Sequence, residues 1–106
     1  LSALLALAAA VLALGAVSAL ASGPPQTKIG DFYFHPGKLT IHRGTKVKWT
    51  WVGFLRHDVK VKKGPSKFHS RIRLRGTYSH VFTKRGTYVL YCSVHPNLMK
   101  ETIVVK

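Results

Sequence analysis

The sequence predicts an all-β, antiparallel sandwich of about seven to eight strands, and three observations carry that expectation. Apolar and polar residues alternate with a period of two in one segment after another. Glycine or proline recurs roughly every 8–12 residues, the spacing of turns between short strands. No apolar period of 3.6 residues runs long enough to make a helix. A chain of 106 residues has room for one domain with one modest core.

Residues 1–21 are almost entirely Ala, Leu and Val, carry no charge, and end in the small-x-small pattern Ala19-Leu20-Ala21. They read as the h-region and cleavage site of a secretory signal peptide, with an uncleaved N-terminal anchor as the alternative. The absence of a cysteine near that cleavage pattern argues against a lipoprotein. Residues 22–28 are Gly, Pro and polar, so a linker is expected there and the folded domain over 29–106.

Phe32 to Phe34 should open the domain, with His35-Pro36-Gly37 turning into a strand over Lys38 to Ile41. After Arg43-Gly44 the next strand runs from Thr45 to Trp51, with Val47, Trp49 and Trp51 on one face and Lys46, Lys48 and Thr50 on the other. His57, Val59 and Val61 alternate with Asp58, Lys60 and Lys62, which aims the His57 side chain at the interior. Phe68, Ser70, Ile72 and Leu74 alternate in the same way with Arg71, Arg73 and Arg75. Thr77 to Thr83, Thr87 to Cys92 and Glu101 to Lys106 complete the set, and Cys92 shares its parity with Tyr88 and Leu90. The outcome is an apolar inside and a basic outside, with lysines guarding the exposed edges.

The charge balance is extreme. Seventeen Lys and Arg stand against three acids, Asp31, Asp58 and Glu101, for a net charge of +14. All of it belongs to residues 24–106. Such a surface attracts acidic partners, anionic lipid or polyanions, with an attraction that salt weakens. Three acids leave little for general acid–base chemistry, and there is no glycine-rich phosphate loop. The lone cysteine rules out an internal disulfide.

The stretch Tyr91-Cys-Ser-Val-His-Pro-Asn-Leu-Met99 holds the only cysteine and the only methionine, with His95 between them. Thiol, imidazole and thioether on one loop form a soft donor set that suits copper far better than calcium or magnesium. A trigonal site of two histidines and one cysteine, with a weak axial methionine, needs one more imidazole. Among the remaining histidines, His35, His42, His69 and His80 read as turn or solvated strand residues, while His57 lies on an inward face.

The order Tyr91-Cys92-x-x-His95-x-x-x-Met99, followed by a terminal strand, resembles the cupredoxin family. Gly86-Thr-Tyr-Val-Leu-Tyr-Cys92 is similar to that family's strand leading into its cysteine, and Arg56-His57-Asp58-Val59 to its upstream histidine segment. The interval of three residues between His95 and Met99 is intermediate between the longer and shorter loops of the family, with Leu98 where the shorter loop would place its methionine. The resemblance, which spans Asp31 to Lys106, implies a Greek-key β-sandwich. It also implies one copper held by His57, Cys92, His95 and Met99, and a monomeric, exported one-electron carrier, not an enzyme. By the same resemblance His95, with Pro96 and Leu98 around it and Phe54 and Leu55 widening the patch, would be its electron port.

Where the family has an amide after the first histidine, Asp58 can only accept hydrogen bonds. Pro96 offers no N–H to the thiolate, which should lower the reduction potential. Two other functions use the same features: copper storage or delivery by the same ligands, and polyanion binding by a secreted basic β-domain. The first lacks the expected Met-rich or His-rich clusters, and the second would need aromatic residues on the outside, whereas Trp49 and Trp51 face in. No specific nucleic acid is expected as a partner. Cysteine-nucleophile catalysis lacks a group to orient the histidine.

Overall fold

The computed structural model describes residues 24–106. The leader and the first part of the linker, residues 1–23, lie outside the described residues. Eight strands form two four-stranded sheets. They are β1 (Gln26–Gly30), β2 (Tyr33–His35), β3 (Lys38–Ile41), β4 (Lys46–Trp51), β5 (Lys60–Lys63), β6 (Gly76–Val81), β7 (Gly86–Tyr91) and β8 (Lys100–Val105). One sheet has the order β2-β1-β4-β6 and the other β3-β8-β7-β5. No helix among the described residues is long and apolar enough to cross a membrane.

The alternation that defines the strands also defines the core. In β4 the burial pattern puts Val47, Trp49 and Trp51 inside, and β7 buries Tyr88 and Leu90 with Cys92 just beyond. Ile29, Phe34, Ile41, Val59, Val61, Phe82, Ile103 and Val105 complete the apolar layer between the sheets. Tyr88 also donates its hydroxyl to the Lys84 carbonyl, fastening the turn before β7.

Three sequence expectations are corrected in detail. The linker ends earlier than Lys28: β1 begins at Gln26 and pairs with β4 from that residue on, so Thr27 is fully buried. Its polar sequence resembles a linker because Thr27 is inside for a hydrogen bond and not for apolar burial. The ladders are not all antiparallel, since β1 pairs parallel with β4 and β3 with β8. A period of two is blind to strand direction. The Phe68–Leu74 segment is no regular strand: isolated bridges join His69 to Lys60 and Arg73 to His57, and Ile72 and Leu74 are exposed. Arg73, counted as an outward residue, instead lies over the Trp51 ring at 5.3 Å.

A buried carboxylate ties the two sheets. Glu101 of β8 is fully enclosed; Thr27 of β1 donates to it through Oγ1 at 2.7 Å and Trp49 of β4 through Nε1 at 2.8 Å. Burial pushes its pKa up to about 7 from 4.5, against the two hydrogen bonds, which pull it down. The native state therefore holds a proton that the unfolded chain releases between those values. This contribution to stability is fully present below pH 4.5 and is lost as pH rises through about 7.

Glu101→Gln reproduces the protonated acid: its amide N–H can donate to Thr27 and its oxygen can accept from Trp49. We expect the stability difference between Glu101→Gln and the unmodified chain to move in favour of the glutamine variant from pH 5 to pH 8, by roughly 3 kcal/mol. Urea unfolding across that range, with m-values compared, checks this.

Candidate metal centre

His57, Cys92 and His95 meet at one end of the sandwich, with one donor atom from each lying within 4.8 Å of the other two. The thiol arrives at the end of β7, where the inward parity of Tyr88 and Leu90 carries it into the interior. The loop then folds back. His95 N–H donates to the Cys92 carbonyl, and the N–H groups of Leu98 and Met99 both donate to the His95 carbonyl. That tight turn returns the chain to β8 and sends alternate side chains in opposite directions: Met99 is 1% exposed and Leu98 63%.

His57 comes from the segment between β4 and β5. Its backbone exchanges two hydrogen bonds with Arg73, each of 3.0 Å, and its carbonyl also accepts from Trp51 Nε1. The ring is fully buried. Its Nδ1 lies 3.8 Å from Cys92 Sγ, and His95 Nδ1 lies 3.9 Å from the same sulfur. The two imidazole centroids are 5.0 Å apart. Two ring nitrogens thus face one sulfur in a site closed on the protein side, with His95 its half-buried member. Two borderline nitrogens and a soft sulfur, with a thioether nearby and no carboxylate oxygen in the cluster, fit copper.

Two residues beside the site escaped the sequence reading. Asp31 Oδ1 accepts from His57 Nε2 at 2.8 Å, and the carboxylate also accepts the backbone N–H groups of Phe54 and Leu55. The His57 hydrogen bond, then those two donors, lowers the Asp31 pKa to about 2. Phe32 follows with φ of 71° and sets its ring edge-on to His95 at 5.1 Å. The scarcity of acids was the available signal for Asp31; nothing in the local pattern marks Phe32.

Asp58 holds the ligand loop by accepting. Its Oδ1 takes the Ser93 N–H and its Oδ2 the Ser93 hydroxyl, both at 2.6 Å. A carboxylate thus ties the residue after Cys92 to the residue after His57. Its inward position overrides the outward parity expected for it, because it is 4% exposed. The other four histidines lie outside the cluster; His80 stacks on Phe68 at 3.7 Å.

A family model described as copper binding proteins of the plastocyanin/azurin family matches residues 24–106. The chain belongs to that family. It is 37% identical over 106 residues to amicyanin-alpha of Methylorubrum extorquens, covering 93% of this chain and 88% of the relative. Among solved structures, a reduced Cu(I) form at pH 4 of an amicyanin variant aligns with a TM-score of 0.70 and 26% identity, over 81% of this chain and 85% of that one. A copper-containing nitrite reductase from Thermus scotoductus aligns at 0.67 and 32% identity over 79% of this chain, but only 22% of the reductase. Copper is the cofactor of this cupredoxin.

Asp58→Ala would leave the Ser93 N–H and hydroxyl without their acceptor in a partly buried setting. We expect a loss of about 2 kcal/mol in the metal-free protein, from the desolvated donors left unpaired. Thermal unfolding of the variant beside Ser93→Ala, which removes only the hydroxyl bond and should cost less, checks it.

Proposed function

We propose that this protein is a blue copper, one-electron carrier in which His57 Nδ1, Cys92 Sγ and His95 Nδ1 are the strong ligands and Met99 the weak axial one. The observation that carries the reading is the approach of two Nδ1 atoms to a single buried thiol sulfur, at 3.8 and 3.9 Å. Bound copper supplies the one-electron couple between Cu(I) and Cu(II). The chain's part is to hold both imidazoles and the thiol still. Asp58 clamps the loop after Cys92, the Arg73 bridge fixes His57, and the sandwich keeps water from the sulfur. Met99 is favoured over Leu98 because only Met99 turns inward.

Catalysis has no support in the acid inventory: Asp31, Asp58 and Glu101 are all engaged in hydrogen bonds to this site or the core. Binding of polyanions by aromatic stacking finds no platform in Trp49 and Trp51, which are 0% and 6% exposed.

His95, half-buried, is where the site comes nearest to solvent, and Phe32, Phe54, Leu55, Val94 and Leu98 are exposed apolar side chains carried on the same turns. A small contact of this kind suits a transient redox partner. The partner is acidic, because among the described residues no Lys or Arg forms an ion pair and Lys62, Lys63 and Lys100 line a cleft of about 180 Å³ with Met99 and Pro96. Contact with an anionic membrane surface draws on the same charge. The protein is exported, with residues 1–21 as its signal peptide or anchor, which the apolar leader supports.

Adding Cu(II) to the metal-free protein should give an intense thiolate-to-copper band at the red end of the visible spectrum, bleached by mild reductant and absent in Cys92→Ser. A weak, broad absorption that Cys92→Ser leaves unchanged would remove the electron-carrier reading. With a purified acidic redox protein, the second-order rate should fall about tenfold or more as ionic strength rises from roughly 0.01 M to 0.15 M; stopped-flow traces check this.

A further inference from the structure

We propose that Asp31 is a positioning residue for the copper site: its carboxylate holds His57 with Nδ1 turned to Cys92 and biases bound copper toward Cu(II). The inference rests on the copper-carrier reading above and extends it to a residue outside the ligand set.

The geometry leaves His57 one arrangement. Its buried ring has two nitrogens, and Nε2–H is committed to Asp31 Oδ1 at 2.8 Å. The lone pair of Nδ1 is thereby left facing Sγ. Asp31 is itself held in place. Phe54 N–H reaches both carboxylate oxygens, at 3.1 and 3.0 Å, and Leu55 N–H reaches Oδ1 at 3.0 Å. Gly53 belongs to the same enclosure: a Cβ there would collide with the Asp31 carboxylate, so only glycine lets the loop wrap it. Loop, carboxylate and imidazole therefore form one rigid unit.

A carboxylate on the far nitrogen of a metal-bound imidazole makes the near nitrogen a stronger donor and orients the ring. It also adds a negative charge behind one ligand, in a molecule whose other exposed charges are almost all positive. Both effects stabilise the more highly charged Cu(II) more than Cu(I). Asp58 contributes its charge to Ser93 and Glu101 lies between the sheets, so Asp31 is the one acid bonded to a ligand ring.

The test is Asp31→Asn in the copper-loaded protein, because asparagine keeps the shape and one accepting oxygen while removing the charge. The ratio of Cu(II) to Cu(I) affinity should fall about tenfold, read as a rise of about 59 mV in the reduction potential, with the thiolate-to-copper band retained. A band retained at an unchanged potential overturns the proposal. Should the variant fail to take up copper, ¹⁵N NMR of the unmodified reduced protein decides. A His57 Nε2–H shifted downfield and slow to exchange is expected, and one exchanging as fast as an exposed imidazole overturns the proposal. Absence of the band in the unmodified protein would instead remove the carrier reading itself.

Discussion

Side-chain carboxylates are few in this chain, three against seventeen Lys and Arg, and the structure engages each of them in hydrogen bonds that join distant segments. Asp31 takes an imidazole N–H, Asp58 a backbone N–H and a hydroxyl, and Glu101 an indole and a threonine. Each joins segments far apart in sequence: 26 residues for Asp31 and His57, 35 for Asp58 and Ser93, and 74 for Thr27 and Glu101. A small sandwich whose surface repels itself uses its few acids as internal fasteners. A bond from an uncharged donor to a carboxylate is stronger than one between two neutral groups; Asp31 gains in this way, whereas Glu101 holds its partners as a neutral acid below about pH 7.

Two of these fasteners, Asp31 and Asp58, flank the metal centre. Cys92 is placed by strand parity, His95 by a turn that closes on the cysteine carbonyl, and His57 by a bridge to Arg73. None of the three side chains depends on a long flexible loop. Phe32 adds a further contact, at the cost of a left-handed backbone that residues other than glycine seldom adopt. Such a conformation persists only where its surroundings demand it, and the His95 ring is part of those surroundings.

Much of this was legible in the sequence because alternation and ligand spacing are local signals. Val47, Trp49 and Trp51 announce their face, and Cys92, His95 and Met99 stand together within nine residues. His57 was readable from parity together with the likeness of its neighbours. The parallel pairings of β1 with β4 and β3 with β8 were not, since side-chain period carries no direction. Nor was the inward turn of Asp58, because alternation assigns a charged residue to the outside unless its hydrogen-bond partners are known, and Ser93 is 35 residues away. The Phe68–Leu74 segment misled for a related reason. Its alternating pattern resembles a strand, but only two isolated bridges join it to its neighbours, and Ile72 and Leu74 are left in solvent.

With every acid engaged by other partners and no Lys or Arg ion-paired among the described residues, the lysines and arginines keep their company among small mobile anions drawn from solution. The acidic partner proposed above would displace those ions into the bulk, and the gain would be theirs: translational entropy of freed salt, not the energy of any particular pair. Attachment of that kind has no preferred register. On the proposed reading, the protein would slide and rotate across its partner while staying attached, until the half-buried imidazole of His95 meets the spot where the electron can cross.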